Sequence, residues 1–428
     1  RGDRVRADCA VSGNRAVLVL YRAQGCGVSA GPAAAEPLDL RNVTRLIDFA
    51  RGSAGGERGF GHLDNSGQID SSFPPSVLIT ARMTFSFAIA AELGLDDCDA
   101  LVARGITSLT EDFFDSTHGG FRSIPLGFGD PGRKSAYDTS FVLLAASTAF
   151  ATGNTDAQWV AHEARDALLE KFWREDLEVF ANSFTEDFSV PEPYVGANAN
   201  MHAVEALMAA SKALDDFSLM ERAREISEFM INRHARGSQW MMPEHFDPSG
   251  NALHDFNVES PDDEFRPYGV TIGHLFEWSR LLLELHHSGV KNAEWMPEAA
   301  QNLYETAKRV GWAADGNPGF VYTLDWDGNP VVTERMMWVV AEAISAAAEM
   351  DKGGLTPSAQ DDVTTWEHHL NEMFQDLDQG SWHHQLSANG QPSSTIANGK
   401  PDAYHLLHAL LIPQLPQGSG LLDRIRHR

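Results

Sequence analysis

The sequence predicts an all-α chain, twelve helices set as a ring of six inside a ring of six, with the long connections gathered at one end. Three observations carry this. Apolar residues recur at three- and four-residue spacing from residue 38 almost to the C-terminus, without the two-residue alternation a sheet requires. Connections alternate in length: they are short after even-numbered helices, as in Leu93-Gly94-Leu95-Asp96, Thr152-Gly153-Asn154 and Asp351-Lys352-Gly353-Gly354. After odd-numbered helices they run to roughly 20 residues, a length that usually carries function. Finally, the long connections resemble one another. Gly59-Phe60-Gly61-His62, Gly119-Gly120-Phe121, Gly319-Phe320-Val321-Tyr322 and Gly380-Ser381-Trp382-His383-His384 each follow an odd helix, an internal repeat of about 60 residues.

In chain order the helices are predicted at 38–51, 75–93, 97–114, 135–152, 155–174, 198–215, 217–236, 270–287, 293–311, 334–350, 356–375 and 401–413. The even ones read as the inner ring. Thr139 to Phe150 and Met336 to Met350 are apolar around most of the circumference, as helices buried on several sides must be. Odd helices keep a charged outer face, such as Glu221, Arg222, Arg224, Glu225 and Glu228 in 217–236. Asp325-Trp326-Asp327-Gly328-Asn329 divides two β-prone runs, so that loop should fold as a short hairpin. If helix direction alternates, all six long loops meet the N-termini of the even helices at one end.

With 428 residues the chain can hold one large core. A formal net charge of -27 argues against nucleic acid or an anionic membrane as partner, and no run approaches 18 apolar residues. Cys9, Cys26 and Cys98 are too few and too scattered for a disulfide framework, which suggests a reducing, cytoplasmic setting. Residues 1–37 lack an initiator Met and a full secretory signal, and are expected to be a disordered or non-native extension. Residues 38–416 are then the catalytic domain and 417–428 a tail.

Chemistry concentrates where the even helices begin. In Phe265 to Leu285, His274 and Glu277 sit one turn apart at the start of a helix, so an imidazole and a carboxylate share a face, and Arg266 lies just upstream. Arg82, Lys134 with Tyr137, Asn198 with Asn200 and His202, Arg335 with Trp338 and Glu342, and Lys400 with Asp402, Tyr404 and His405 hold equivalent positions on the other even helices. Such convergence predicts an apolar-walled cup with polar groups at its mouth, the usual form of a small-molecule site. Phe60, Phe121, Tyr322, Trp338 and Trp382 would suit stacking against a sugar ring.

The chain from Leu38 to Pro416 resembles the N-acylglucosamine 2-epimerase superfamily, nearest its mannose isomerase and sulfoquinovose isomerase branch. The residues that carry the likeness are Ala197-Asn198-Ala199-Asn200-Met201-His202 with Glu205, Phe265-Arg266-Pro267-Tyr268-Gly269 with Gly273-His274 and Glu277-Trp278, the set Arg335, Trp338 and Glu342, and Gly399-Lys400-Pro401-Asp402-Ala403-Tyr404-His405. The resemblance implies an (α/α)6 barrel and a metal-free interconversion of aldose and ketose, or epimerisation at C2. It implies His274 and His405 as the acid/base pair. Arg82, Asn198, His202, Arg266, Glu277, Trp338, Glu342 and Trp382 would bind the sugar or tune the pair.

Physical chemistry agrees with that implication. Moving a carbonyl between C1 and C2 needs a group that takes and returns a proton near pH 7, which imidazole does unaided. His405 is assigned the shuttling role and His274 ring opening, with the opposite assignment left open. The expected substrate pair is mannose and fructose, with sulfoquinovose isomerase and cellobiose 2-epimerase as alternatives. No cofactor is implied, and the state could be monomer or homo-oligomer. Thr139 stands where relatives of this branch often have His, and His383-His384 lies in a variable loop, so the exact sugar is open. An inverting glycoside hydrolase would need two carboxyl groups about 6.5 to 9.5 Å apart, for which Glu277 and Glu342 are the nominees. A plain sugar-binding module would leave the two histidines without a purpose. His405 with His408 and His368 with His369 could suggest a metal, but no HExxH or acidic ligand set accompanies them, so none is expected.

Overall fold

The computed structural model describes residues 37–428; the extension expected over 1–37 lies almost wholly outside them. All twelve expected helices are present. They are α1 (Arg41–Ala50), α2 (Val77–Glu92), α3 (Cys98–Ser108), α4 (Ala136–Ala151), α5 (Ala157–Ala167), α6 (Ala197–Ala213), α7 (Ser218–Ser227), α8 (Ile272–His287), α9 (Met296–Gly311), α10 (Met337–Lys352), α11 (Ala359–His369) and α12 (Tyr404–Leu411). Even helices pack in a closed circle, α2 on α4, α4 on α6, α6 on α8, α8 on α10, α10 on α12 and α12 back on α2. Each of α3, α5, α7, α9 and α11 lies against the even helix before it, and α1 fills the remaining outer place against α12 and α2. This is the (α/α)6 barrel. The division follows from composition: α4 and α10 are buried nearly throughout, whereas α7 and α9 bury only one face. Among the described residues, no helix is long and apolar enough to cross a membrane.

The long loops are stitched to one another around the ring. The first N–H of α2, α4, α6, α8 and α10, on Val77, Ala136, Ala197, Ile272 and Met337, donates to the carbonyl of Ser123, Asn182, Glu244, Tyr322 and His384 in the following loop. Lys400 N closes the circle onto Leu63 O at 2.9 Å. Gly399 makes the closure possible: its φ is +67°, and a Cβ there would lie 2.1 Å from Leu63 O. Short antiparallel strand pairs reinforce the steps, including Val195–Gly196 with His245–Phe246 and Arg335–Met336 with Gln385–Leu386. The hairpin expected around Asp325 is present, with Thr323–Leu324 paired to Pro330–Val332.

Residues 417–428, expected as a tail, carry a thirteenth helix, α13 (Leu421–Arg426), whose Leu421 and Arg424 are buried. Its arginine finds carboxylates inside the barrel, which explains why a polar segment docks there.

Candidate active site

The cup opens at the end where the even helices begin, and its cavity measures about 440 Å³. That is within the range of small-molecule sites. Arg82 of α2, Tyr137 and Asp138 of α4, Asn198 and His202 of α6, His274 and Glu277 of α8, Trp338 of α10 and His405 of α12 all line it. His62, Ser123, Tyr322 and His384 enter from the stitched loops.

The two histidines expected as the pair face this cavity with the same arrangement. His405 is bound through Nδ1 to Glu342 Oε1 at 2.8 Å. His274 Nδ1 lies 3.0 Å from Glu244 Oε1, close but poorly aligned for a hydrogen bond. A carboxylate thus stands at Nδ1 of each ring, bonded in His405 and only close in His274, and Nε2 is the ring nitrogen left for proton transfer. Trp338 stands between them, its ring 5.2 Å from that of His274 and 5.5 Å from that of His405. Gly273 permits this, because a Cβ there would fall 2.2 Å from the Trp338 ring.

Beneath the pair is a buried charge cluster. Arg280 Nε binds Glu342 Oε2 at 3.1 Å, and its Nη atoms lie 3.3 Å from Glu284, 3.5 Å from Glu205 and 3.6 Å from Glu277. Burial opposes the charge of Glu342, yet Arg280 and the bonded His405 outweigh it and hold the carboxyl down to about 2. Glu277 goes the other way: burial, then the charge of Glu342, raise it well above the carboxylate range against the pull of Arg280. Two carboxyl groups a few ångströms apart are thus pushed in opposite directions, because one of them holds the arginine and the histidine. Burial also lowers His405, partly countered by Glu342, and drives His202 far below the usual imidazole range. Arg82 is fixed by Asp402 Oδ2 and the Tyr137 hydroxyl, both at 2.8 Å, with Phe141 under its guanidinium. Burial opposes the charge of Asp402, but Arg82 keeps its carboxyl at about 2.

Donor atoms of Glu277, Glu342 and His405 lie within 4.8 Å of one another, as do those of His202, Glu205 and Glu277. The residues do not suit a divalent cation, since the Arg280 guanidinium already sits among these carboxylates and would repel it. The same spacing disfavours an inverting hydrolase, whose carboxyl groups stand about 6.5 to 9.5 Å apart.

Several sequence expectations need correction. Trp382 is fully buried beneath Arg45, which lies 4.4 Å over its ring, so it is core rather than cavity wall. Phe60 and Phe121 are likewise core. Arg266 does not reach the main cavity; it pairs with Glu192 at 2.7 Å and faces a neighbouring chamber. Lys134, Arg335 and Lys400 turn away from the mouth to bind loop carboxylates, Asp115 at 2.7 Å, Asp315 at 2.6 Å and Asp376 at 2.5 Å. Asn200 holds the backbone of Phe180, and Thr139 bonds Ser135 O. The three cations and Arg266 tie loop to loop, Asn200 ties a loop to α6, and Thr139 bonds back onto the first turn of its own helix.

Glu244 was missed, although the repeat contains a signal for it. Buried Phe60, Phe121, Phe180, Met242, Phe320 and Trp382 occupy one position of the six loops, and the residue two further on is His62, Ser123, Asn182, Glu244, Tyr322 or His384. Four of these follow-on residues, His62, Ser123, Tyr322 and His384, line the cavity, Asn182 lines the neighbouring chamber, and Glu244 lies against His274. Met242 replaces the aromatic in the fourth loop, which hides the pattern there.

The N-acylglucosamine 2-epimerase (GlcNAc 2-epimerase) family model matches residues 59–409. The chain belongs to that family. Family members similar to it include the D-mannose isomerase of Pseudomonas cannabina pv. alisalensis, 39% identical over 385 residues that make up 88% of this chain and 92% of the relative. The D-mannose isomerase of Thermobifida fusca is 38% identical over 380 residues, 88% of this chain and 93% of that one. A crystal structure of D-mannose isomerase superposes with a TM-score of 0.80 at 24% identity, covering 86% of this chain and 95% of that one. Cellobiose 2-epimerase from Spirochaeta thermophila DSM 6192 gives 0.74 at 20% identity, covering 91% and 99%. At those identities the structural likeness speaks for the barrel. As a member of this family, the protein is an enzyme of the sugar isomerase and epimerase class.

Proposed function

We propose that the protein interconverts D-mannose and D-fructose through a cis-enediol, with His405 and His274 as proton carriers and no metal in the reaction. The observation that carries this reading is the pair of imidazoles on one cavity, each backed by a carboxylate at Nδ1. The two curated relatives, named for mannose isomerisation, support the choice of sugar.

His274 Nε2 moves a proton between O5 and O1 as the pyranose opens. His405 Nε2 then takes the C2 proton of the open aldose while O1 is protonated, which gives the enediol. Loss of the O2 proton and return of the carried proton to C1 complete the ketose. Arg82, locked by Asp402 and Tyr137 within electrostatic reach of His405, stabilises the developing oxyanion. That neighbourhood supports His405, rather than His274, as the C1–C2 shuttle. Burial and the Glu342 charge push Glu277 toward its protonated form, and in that form it can donate a hydrogen bond to a sugar hydroxyl, which an ionised carboxylate cannot.

Two imidazoles on either side of Trp338 also suit 2-epimerisation, in which C2 is protonated from both faces. One assay separates the readings. The enzyme is incubated in deuterated water with mannose, fructose, glucose, sulfoquinovose or cellobiose, with and without a chelator. Conversion of mannose to fructose, unaffected by the chelator, is expected, with deuterium entering C1 in the fraction of turnovers in which the carried proton exchanges with solvent before its return. Unchanged mannose beside converted cellobiose would overturn the substrate, and chelator-sensitive turnover the metal-free chemistry. His405→Ala and His274→Ala should each abolish turnover in a folded protein.

A further inference from the structure

The far end of the barrel is closed by α13, and it is closed with charge. Arg424 is 0% exposed; its Nη2 lies 3.0 Å from Glu284 Oε1 on α8, and its Nη1 lies 2.6 Å from Glu349 Oε1 on α10 and 3.1 Å from Pro416 O. Glu284 is shared, since its other oxygen lies 3.3 Å from Arg280 one turn earlier on α8. Arg280 in turn holds Glu342, and Glu342 holds His405. A line of ion pairs, ending in the Glu342–His405 hydrogen bond, therefore runs from α13 to the imidazole proposed as proton carrier.

Such a line is a poor way to plug a barrel. Taking several charges out of water costs about as much as their pairing returns, and a well-packed apolar plug of equal volume is often as stable or more so. Its value must then lie in what it holds. With Glu284 satisfied by Arg424, Arg280 is free to reach Glu342; without Arg424, Glu284 would draw Arg280 down α8 and loosen Glu342 from the His405 ring.

We propose that the C-terminal helix takes part in setting up catalysis: Arg424 is a positioning residue that, through Glu284 and Arg280, holds Glu342 in place against His405. This rests on the reading of His405 as a proton carrier. The charged groups facing Arg424 are Arg280 and Glu284 from α8 and Glu349 and Lys352 from α10, while Asp423 beside it pairs with Lys212 of α6. Those facing His405 are Glu342 from α10, Glu277 from α8, Arg82 from α2, His202 from α6, and Asp402 and His384 from the loops.

The test uses the full chain and three variants, Arg424→Met, Glu284→Gln and the double variant. Because Glu342 raises the His405 pKa, loosening it in Arg424→Met should move the acid limb of kcat down by about half a pH unit or more, whereas Glu284→Gln, which leaves Arg280 to Glu342, should move it by less than that. The double variant should return it to the wild-type position. Arg424→Met should also lower kcat about tenfold, the cost of one misplaced general base being a fraction of its 10²- to 10⁴-fold worth, with KM within about twofold. Arg424→Lys should recover part of the loss. Titration of the His405 ring by NMR, on enzyme without sugar, should follow the same order. An upward shift or an unmoved limb and ring titration in Arg424→Met, a loss of melting temperature alone, or a double variant that shifts as far as Arg424→Met, would overturn the proposal. Should Arg424→Met not fold, Arg424→Lys, expected to shift the limb down by a smaller amount, and the double variant decide by the same criteria. Ring shifts without a change in the limb would uphold the positioning and reject His405 as the proton carrier.

Discussion

Glu342→Gln tests the site most directly, because Glu342 joins the buried arginine to the ring proposed as the proton carrier. Glutamine keeps the size and can still bond Arg280, but it removes the charge 2.8 Å from His405 Nδ1. At an effective dielectric constant of about 20, two charges about 4 Å apart interact by about 4 kcal/mol, close to three pH units as an upper bound. The carboxylate raises the His405 pKa, so its loss must lower it, and a fall of about 1 to 3 units is expected. An amide can also donate to Nδ1, which would put the proton on Nε2 and turn the base away from the sugar in function though not in place. Together these should reduce kcat by about 10²- to 10⁴-fold, the worth of a positioned general base. Glu277 loses the neighbouring charge that helps raise it and is pulled back toward the ionised form by Arg280. Stability should fall by only about 1–3 kcal/mol, since Arg280 keeps Glu205, Glu277 and Glu284. Deuterium exchange into mannose at C2 and NMR titration of His405 would measure both effects. Turnover within tenfold of wild type, with an unmoved ring titration, would refute the carboxylate–imidazole pair as the working unit.

Burial lowers His405 from its ordinary value, and the ring must be neutral to accept a proton. The acid limb of kcat/KM should therefore lie below about pH 6.5, the unperturbed imidazole value, with activity flat through neutrality. Gly273→Ala places a methyl 2.2 Å from the Trp338 ring and must displace it from between the histidines. Circular dichroism should report an intact fold while kcat/KM falls by about 10²-fold, as a misplacement of about 1 Å can cost. Trp382→Phe should lower stability by about 2 kcal/mol in chemical denaturation, through lost packing and the lost Arg45 contact, and leave KM for mannose unchanged. A raised KM would return Trp382 to the cavity wall.

Helix periodicity, alternating loop length and the recurring glycine–aromatic motif were enough to read a double ring with its long loops at one end. They also located most of the cup, because a residue near the start of an inner helix is carried to the same rim whichever helix it belongs to. Arg82, Asn198, His202, His274, Glu277, Trp338 and His405 were legible on that ground, and all seven line the cavity. What failed was the assumption that every polar or aromatic group near the rim faces it. Lys134, Arg335 and Lys400 were claimed by loop aspartates, and Trp382 by the core beneath Arg45.

Position along the chain thus determined the ring and the end at which polar groups gather, since both follow from local periodicity. Which carboxylate serves which base was decided only in three dimensions. Glu277, one turn from His274, belongs with His202 and Arg280, while His274 takes Glu244 from 30 residues upstream and His405 takes Glu342 from a different helix. Partners in a buried site are chosen by closure of the ring, which brings distant loops against each helix start, and by the need to pair every buried charge. Neither is written in the spacing of neighbours.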